Sequence, residues 1–281
     1  MTRWHGDLNL VYSYQTDTTL LTHRYTKAPL KIQRSFYPEG KEICHSVLLH
    51  TAGGVVGGDE LTQTIHLQPH AKTLITTAAA AKIYRSNGQI ATQKISLQLE
   101  ENACLEWLPQ ETIIFDGAVY QQDIRVDLGQ NATFLAWDIT RLGRSARGER
   151  FREGKWRSHT EVWQQGYPLW IDRQGLENSE EMLDSPQGLN GYPVIGSLIC
   201  LGQPISDTII DQIRLLLSEA NDQGEIGITQ TLKQGLLCRY RGFSTIKARY
   251  WLSLVWHYLR EILFLRSPII PRVWGSLHLM A

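Results

Sequence analysis

The chain has 281 residues, with 28 Lys plus Arg balanced by 28 Asp plus Glu and ordinary apolar and aromatic fractions. It is long enough to bury a sizeable core as one large domain or two small ones, and its zero net charge excludes a bulk attraction to nucleic acid or anionic lipid. Cys44, Cys104, Cys200 and Cys238 lie far apart with no Cys-x-x-Cys pair; this speaks against a disulfide framework or zinc motif and fits a reducing cytoplasm.

Met1 to Gln15 alternates polar and apolar residues without a charged segment leading into an apolar one, so no signal peptide is predicted. Leu8, Leu10, Tyr12 and Tyr14 read as the first half-buried strand. Then comes His50-Thr-Ala-Gly-Gly-Val-Val-Gly-Gly-Asp59, where Gly53, Gly54, Gly57 and Gly58 imply a backbone that turns tightly or approaches another backbone closely. Glycine turns of this kind can hold phosphate. Here Asp59 stands where a P-loop needs its lysine, and Glu60 to Leu67 reads as a strand where a dinucleotide fingerprint needs a helix. A structural turn or bulge is the expectation.

Ile95, Leu97 and Leu99, then Ile124, Val126 and Leu128, then Thr133, Leu135, Trp137 and Ile139 continue the period-two pattern. Three segments beginning at residues 65, 95 and 124 share one layout: an alternating strand, a turn (Gln68-Pro69-His70, Glu100-Glu101-Asn102, Gly129-Gln130-Asn131), then a second strand. A period of about 30 predicts stacked hairpins or coils whose faces bury one another, a solenoid-like or β-helical body over about residues 1–172 and not a closed barrel.

Leu142 to Phe151 reads as a basic, glycine-punctuated loop in which Arg141, Arg144 and Arg147 could hold an anion or a partner's carboxylates, a solvated turn being the alternative. It enters a strand pair rich in tryptophan, Trp156, Trp163 and Trp170. Two helices follow. The first, about 207–221, is capped by Ser206, carries Ile209, Ile213, Leu216, Leu217 and Ala220 on one face, and is ended by Asn221 and Gly224. The second, about 245–265, is capped by Ser244, places Ile246, Tyr250, Leu254, Tyr258 and Ile262 on one face, and stops before Pro268. Both apolar stripes are expected on the β body. His257, Arg260 and Glu261 in the most apolar window argue against a membrane helix. The apolar tail from Pro268 must lie on the body or on a partner. With no low-complexity linker, one continuous architecture over 1–281 is expected.

No motif names a chemistry. His66 and His70 have i, i+4 spacing but are separated by Pro69 in a turn, and no nucleophile elbow is present. Asp59, Glu106, Glu111, Asp116, Asp138 and Glu149 could supply paired carboxylates for a carbohydrate-active β-helical enzyme, though no spacing selects two of them.

Taken together, His50 to Asp59, Thr76-Thr-Ala-Ala-Ala-Ala-Lys-Ile-Tyr-Arg85, Leu105 to Ala118, the Leu142 to Glu149 loop, Cys238-Arg-Tyr-Arg-Gly242 and Pro271-Arg-Val-Trp resemble, in order and over nearly the whole chain, the UreD (also UreH) family of urease accessory proteins. One departure is Ala78, where the family usually has glutamine. The resemblance implies a mainly β, non-enzymatic protein that binds apo-urease and recruits UreF and, through it, the GTPase UreG, so that nickel reaches the urease active site in a GTP-dependent step. It also implies an internal water-filled passage as the nickel route, with no tightly bound cofactor. Transit needs weak oxygen ligands, because a closed histidine and thiolate site would trap the ion. The candidate lining or partner-contact residues are Asp59, Thr76, Thr77, Lys82, Tyr84, Glu106, Asp138 and Glu149, with the four glycines shaping the backbone. The tryptophan-rich segment and the tail would be partly interface, so the free protein should aggregate.

Overall fold

The computed structural model describes residues 4–275 except 145, 147, 178–179, 219–223 and 234. Arg147, Ala220 and Asn221, which figure in the expectations above, lie outside the described residues. β1 (His5–Gln15) and β2 (Thr18–Lys27) form a hairpin, and β3 (Leu30–Ile32) pairs antiparallel with β4 (Ile43–His50). Repeating units follow: β5 (Glu60–Leu67), β6 (Lys72–Thr77) and β7 (Ala81–Ile83), then β8 (Ala91–Leu99), β9 (Cys104–Trp107) and β10 (Thr112–Ile114), then β11 (Val119–Leu128) and β12 (Thr133–Leu142).

These units are coils. The two strands flanking each turn belong to different sheets, and each strand pairs in parallel with its counterpart one coil away: β5, β8, β11 on one side and β6, β9, β12 on the other. The result is a β-solenoid of about four turns. The turns explain the stacking. His70, Asn102 and Asn131 occupy the left-handed region with φ of 64°, 58° and 55°, a conformation that Asn tolerates better than branched residues. The following Ala71, Ala103 and Ala132 are buried. His70 N–H donates to Glu101 O at 3.0 Å and Asn102 N–H to Gln130 O at 2.9 Å, so each corner is hydrogen-bonded to the next.

The strands run past the expected end of the β body near residue 172. The hairpin of β13 (Lys155–Gln164) and β14 (Tyr167–Glu177) completes the first sheet. After the short α1 (Glu180–Asp184) come β15 (Val194–Leu201), α2 (Asp207–Ser218), β16 (Glu225–Gln230), β17 (Leu236–Gly242) and α3 (Thr245–Leu263). β15, β17 and β16 extend the second sheet antiparallel from β12.

The central strands of the second sheet, β6, β9, β12 and β15, are buried on both faces. One face meets the first sheet around Leu10, Ile65, Leu97 and Val126; the other meets α2 and α3 around Leu135, Trp137, Leu198 and Trp256. Ser206 and Ser244 cap the helices as expected, each hydroxyl accepting a backbone N–H, from Ile209 at 3.4 Å and Lys247 at 3.3 Å. The buried face of α3 is Ala248, Trp251, Leu252, Val255, Trp256 and Leu259, and Ile246 is exposed. The expected stripe from Ile246 to Ile262 is therefore the flank. A strict four-residue step drifts about 40° per turn around a 3.6-residue helix, so it crosses from solvent to core edge instead of following one face. The tail lies on the body: a 3-10 turn at Arg272–Trp274 buries Trp274. No helix among the described residues is long and apolar enough to cross a membrane.

Candidate functional site

The glycine block closes one end of the inter-sheet space. Val55 N–H donates to Lys82 O at 2.8 Å and Tyr84 N–H to Val55 O at 2.9 Å, which draws the block against β7. A Cβ on Gly54 would sit 2.7 Å from Lys82 O and inside the Tyr84 ring, and one on Gly57 would sit 2.7 Å from Gln89 O. Gly58 has φ 93°. Asp59 fastens the turn: its buried carboxylate accepts Trp4 N–H at 3.1 Å and Val56 N–H at 2.9 Å. The Tyr84 hydroxyl donates to Gly53 O at 3.0 Å.

Behind this block lies a cavity of about 500 Å³, with His50, Gly53, Gly54, Thr77 and Lys82 toward the block and Gln93, Gln122 and Asp138 deeper among the strands. Ala78 lines it too and contributes only a methyl group to the wall. The polar floor follows from register. Gln93, Gln122, Ser158 and Gln174 are direct neighbours across β8, β11, β13 and β14. On the opposing sheet Asp138, Ser197 and Arg239 are direct neighbours across β12, β15 and β17. Two polar rows thus run along the solenoid axis amid the apolar side chains between the sheets.

Hydrogen bonds link the rows. Tyr120 donates to Gln93 Oε1 at 2.9 Å, and Gln122 Nε2 lies 3.5 Å from Ser158 Oγ. Gln174 Nε2 reaches Asp172 Oδ2 at 2.7 Å and Ser197 Oγ at 3.5 Å. Arg239 donates to Ser197 Oγ at 2.5 Å and to Asp172 Oδ1 at 2.6 Å. Beyond them a second, more open cavity of about 550 Å³ is lined by Gln174, Ser197, Arg239 and Arg241. Burial pushes the Asp138 carboxyl up to about 6; the nearby Asp172 carboxylate adds to the rise and Arg239 opposes it. Oxygen ligands, amides and one poised carboxylate suit weak, exchanging contacts with a hydrated cation.

The structure brings five of the sequence-selected residues, Gly53, Gly54, Thr77, Lys82 and Asp138, into the cavity wall. The others lie elsewhere. Thr76 accepts the Trp274 indole N–H at 2.8 Å and so ties the tail to β6. Glu106 sits in a buried cluster beneath α3, 3.2 Å from Arg260, which lies 2.8 Å from Glu39; Trp256 Nε1 donates to Glu106 at 2.5 Å. Burial pushes the Glu106 carboxyl up against the pull of Arg260, whereas for Glu39 burial is outweighed by His45 and Arg260, which hold it low. Glu149 accepts Asp116 N–H at 2.9 Å and pairs with Arg144; these outweigh burial and keep its carboxyl below the usual range.

Arg141 donates to Gly143 O and Phe243 O, each at 3.0 Å, and Arg144 stacks on Phe115, so both serve the loop's own structure. The carboxylates considered for glycoside chemistry are held individually: Glu111 by Arg249 and Asp116 by Arg85, beside the partners already given for Asp59, Glu106 and Glu149. No group of three or more His, Cys, Asp or Glu residues suited to a metal occurs among the described residues. Burial raises the thiols of Cys104, Cys200 and Cys238, that of Cys200 to about 12, so they behave as small hydrophobes.

Sequence reasoning missed Gln93, Gln122, Ser158, Gln174, Ser197 and Arg239. A signal existed for two of them, Gln93 and Gln122. Gln63, Gln93 and Gln122 occupy the inward phase of the alternation set by Ile65, Ile95 and Ile124, a polar residue where the pattern demands an apolar one. Ser197 and Arg239 lie in strands whose partners across the cavity are not deducible from periodicity.

The description "UreD urease accessory protein" belongs to the family model that matches residues 5–275. The chain is 58% identical to the urease accessory protein UreD of Nostoc sp. strain PCC 7120, over 97% of this chain and 96% of that one. It is 56% identical to that of Nostoc punctiforme, over 96% of each. It is 52% identical to that of Microcystis aeruginosa, over 97% of this chain and 99% of that one. With its solenoid and its glycine block in place over the matched span, the chain belongs to the UreD family of urease accessory proteins, non-catalytic factors of urease maturation.

Proposed function

We propose that this protein hands nickel to apo-urease along the axial polar rows, acting in the cytoplasm as a scaffold that binds the urease apoprotein and recruits UreF and, through it, the GTPase UreG. The observation that carries the reading is the pair of facing rows, Gln93–Gln122–Ser158–Gln174 and Asp138–Ser197–Arg239, which run from the wall of one cavity to the wall of the other amid the apolar side chains between the sheets. Burying that many polar groups is unfavourable for folding, and a maturation factor has a use for them. Nickel is cargo here, met by single oxygens and water, and the chain itself keeps no cofactor and no nucleotide. Thr77, Lys82 and Asp138 act on the ion's path. Asp59, Thr76, Glu106 and the glycines hold the walls, and Tyr84 and Glu149 shape the rim offered to a partner.

Exposed Tyr167 and Ile171 on β14, an edge strand, supply apolar surface for a partner next to the second cavity. The test is urease activity in a heterologous host carrying the cognate urease and accessory set under supplied nickel. Omitting this chain should leave urease subunits made but empty of nickel, and Asp138→Asn should lower activation while the chain still co-purifies with its partners. Full nickel loading of urease without the chain would overturn the proposal.

A further inference from the structure

The two cavities share no lining residue, and Arg239 stands in the wall of the outer one. Asp138 lines the inner cavity and Arg239 the outer one, with Ser197 on the strand between them. Adjacent strands are about 4.8 Å apart, and the guanidinium reaches back to Ser197 Oγ, on the strand next to that of Asp138. Its own anchors are few. Among the described residues Arg239 bonds to the side chains of Ser197 and Asp172, and it lies 5.9 Å over the Trp170 ring. Arg241, two residues on, is fixed quite differently, by the Glu225 carboxylate at 2.7 Å and by the carbonyls of Pro186 at 2.9 Å and Gly188 at 2.7 Å. One arginine is bolted to backbone; the other is held by rotatable side chains beside an aromatic platform.

The charges complete the argument. The Asp172 carboxylate makes Asp138 costlier to ionise, and the Arg239 guanidinium, which pairs with Asp172, opposes that rise. A dication between two carboxylates is favoured over a monocation there, provided that it keeps part of its water. We propose that Arg239 is a cation-displaced gate: it closes the junction by bonding Asp172 and Ser197, and a divalent ion taking its place between Asp138 and Asp172 moves the guanidinium onto Trp170 and opens the row. This rests on reading the rows as the nickel path. The backbone need not move, because only side-chain torsions change, and such flips are fast. An ion thereby opens the junction by its own charge, and monovalent ions do not.

Equilibrium dialysis of nickel(II) against the purified full chain tests the gate. Arg239→Gln removes the competing charge and should tighten nickel binding about tenfold, and Arg239→Lys, which restores a cation, should return it toward wild type. Adding Asp172→Asn to Arg239→Gln should abolish the gain. Ser197→Ala, which loosens the guanidinium and leaves both carboxylates intact, should tighten binding a few-fold even if the glutamine variant folds poorly. Unchanged nickel affinity in both Arg239→Gln and Ser197→Ala overturns the gate. Urease activation separates this from the underlying reading: if Asp138→Asn leaves activation untouched, the passage itself fails, whereas loss of activation in Asp138→Asn with unchanged affinities in the gate variants removes only the gate.

Discussion

Asp138→Asn should stabilise the fold while impairing urease activation. The substitution is nearly isosteric and removes one partly buried negative charge. Burial together with Asp172 raises the carboxyl from the ordinary 3.8 to about 6, so keeping it ionised in the folded protein costs about 3 kcal/mol at neutral pH, at about 1.36 kcal/mol per unit. The pKa is raised in the folded state, so this penalty is fully present above about 6 and fades as pH falls toward 3.8. At pH 4 it amounts to less than about 1 kcal/mol. Urea denaturation of both proteins at pH 7 and pH 4 should show the asparagine variant more stable at pH 7 by up to about 3 kcal/mol, with the gap nearly closed at pH 4. An asparagine variant no more stable than wild type at pH 7, or a gap unchanged at pH 4, would refute the reasoning. The same variant should activate urease poorly, because the group removed is costly to the fold and useful to the ion.

Arg260→Ala should destabilise by about 3–5 kcal/mol, read from the denaturation midpoint, because it leaves the buried Glu39 and Glu106 without their shared counter-charge. Gly54→Ala should lower stability by about 1–3 kcal/mol through overlap with Tyr84 and Lys82 O, whereas Gly53→Ala, whose Cβ would meet only the Tyr84 hydroxyl at 3.9 Å, should be tolerated within about 0.5 kcal/mol. Trp274→Ala should cost about 3–5 kcal/mol, since it empties the space between Trp137 at 4.8 Å and Trp256 at 5.3 Å; Trp274→Phe should recover most of the loss except the bond to Thr76. Equal thermal midpoints for the alanine and phenylalanine variants would show that the ring packing carries no weight.

The sequence by itself determined the coils, their turns and both long helices. The first sheet packs one face inward, so Ile65, Leu97 and Val126 keep a clean period of two, and the turns at His70, Asn102 and Asn131 repeat because each coil needs the same left-handed corner. Where a strand is covered on both sides that signal vanishes. β15, Val-Ile-Gly-Ser-Leu-Ile-Cys-Leu, is buried at every position but Ile195 between the first sheet and α3, and no alternation marks it. Only the tertiary structure decided which polar residues meet. Arg239 reaches Asp172 across 67 residues of chain, and Arg260 reaches Glu39 and Glu106 from a helix whose core face a four-residue step does not follow. Local pattern fixes which way a side chain points on its own strand; what stands opposite depends on the stacking of coils and the packing of the two sheets, and that long-range geometry turns scattered glutamines, serines and one aspartate into a continuous polar row.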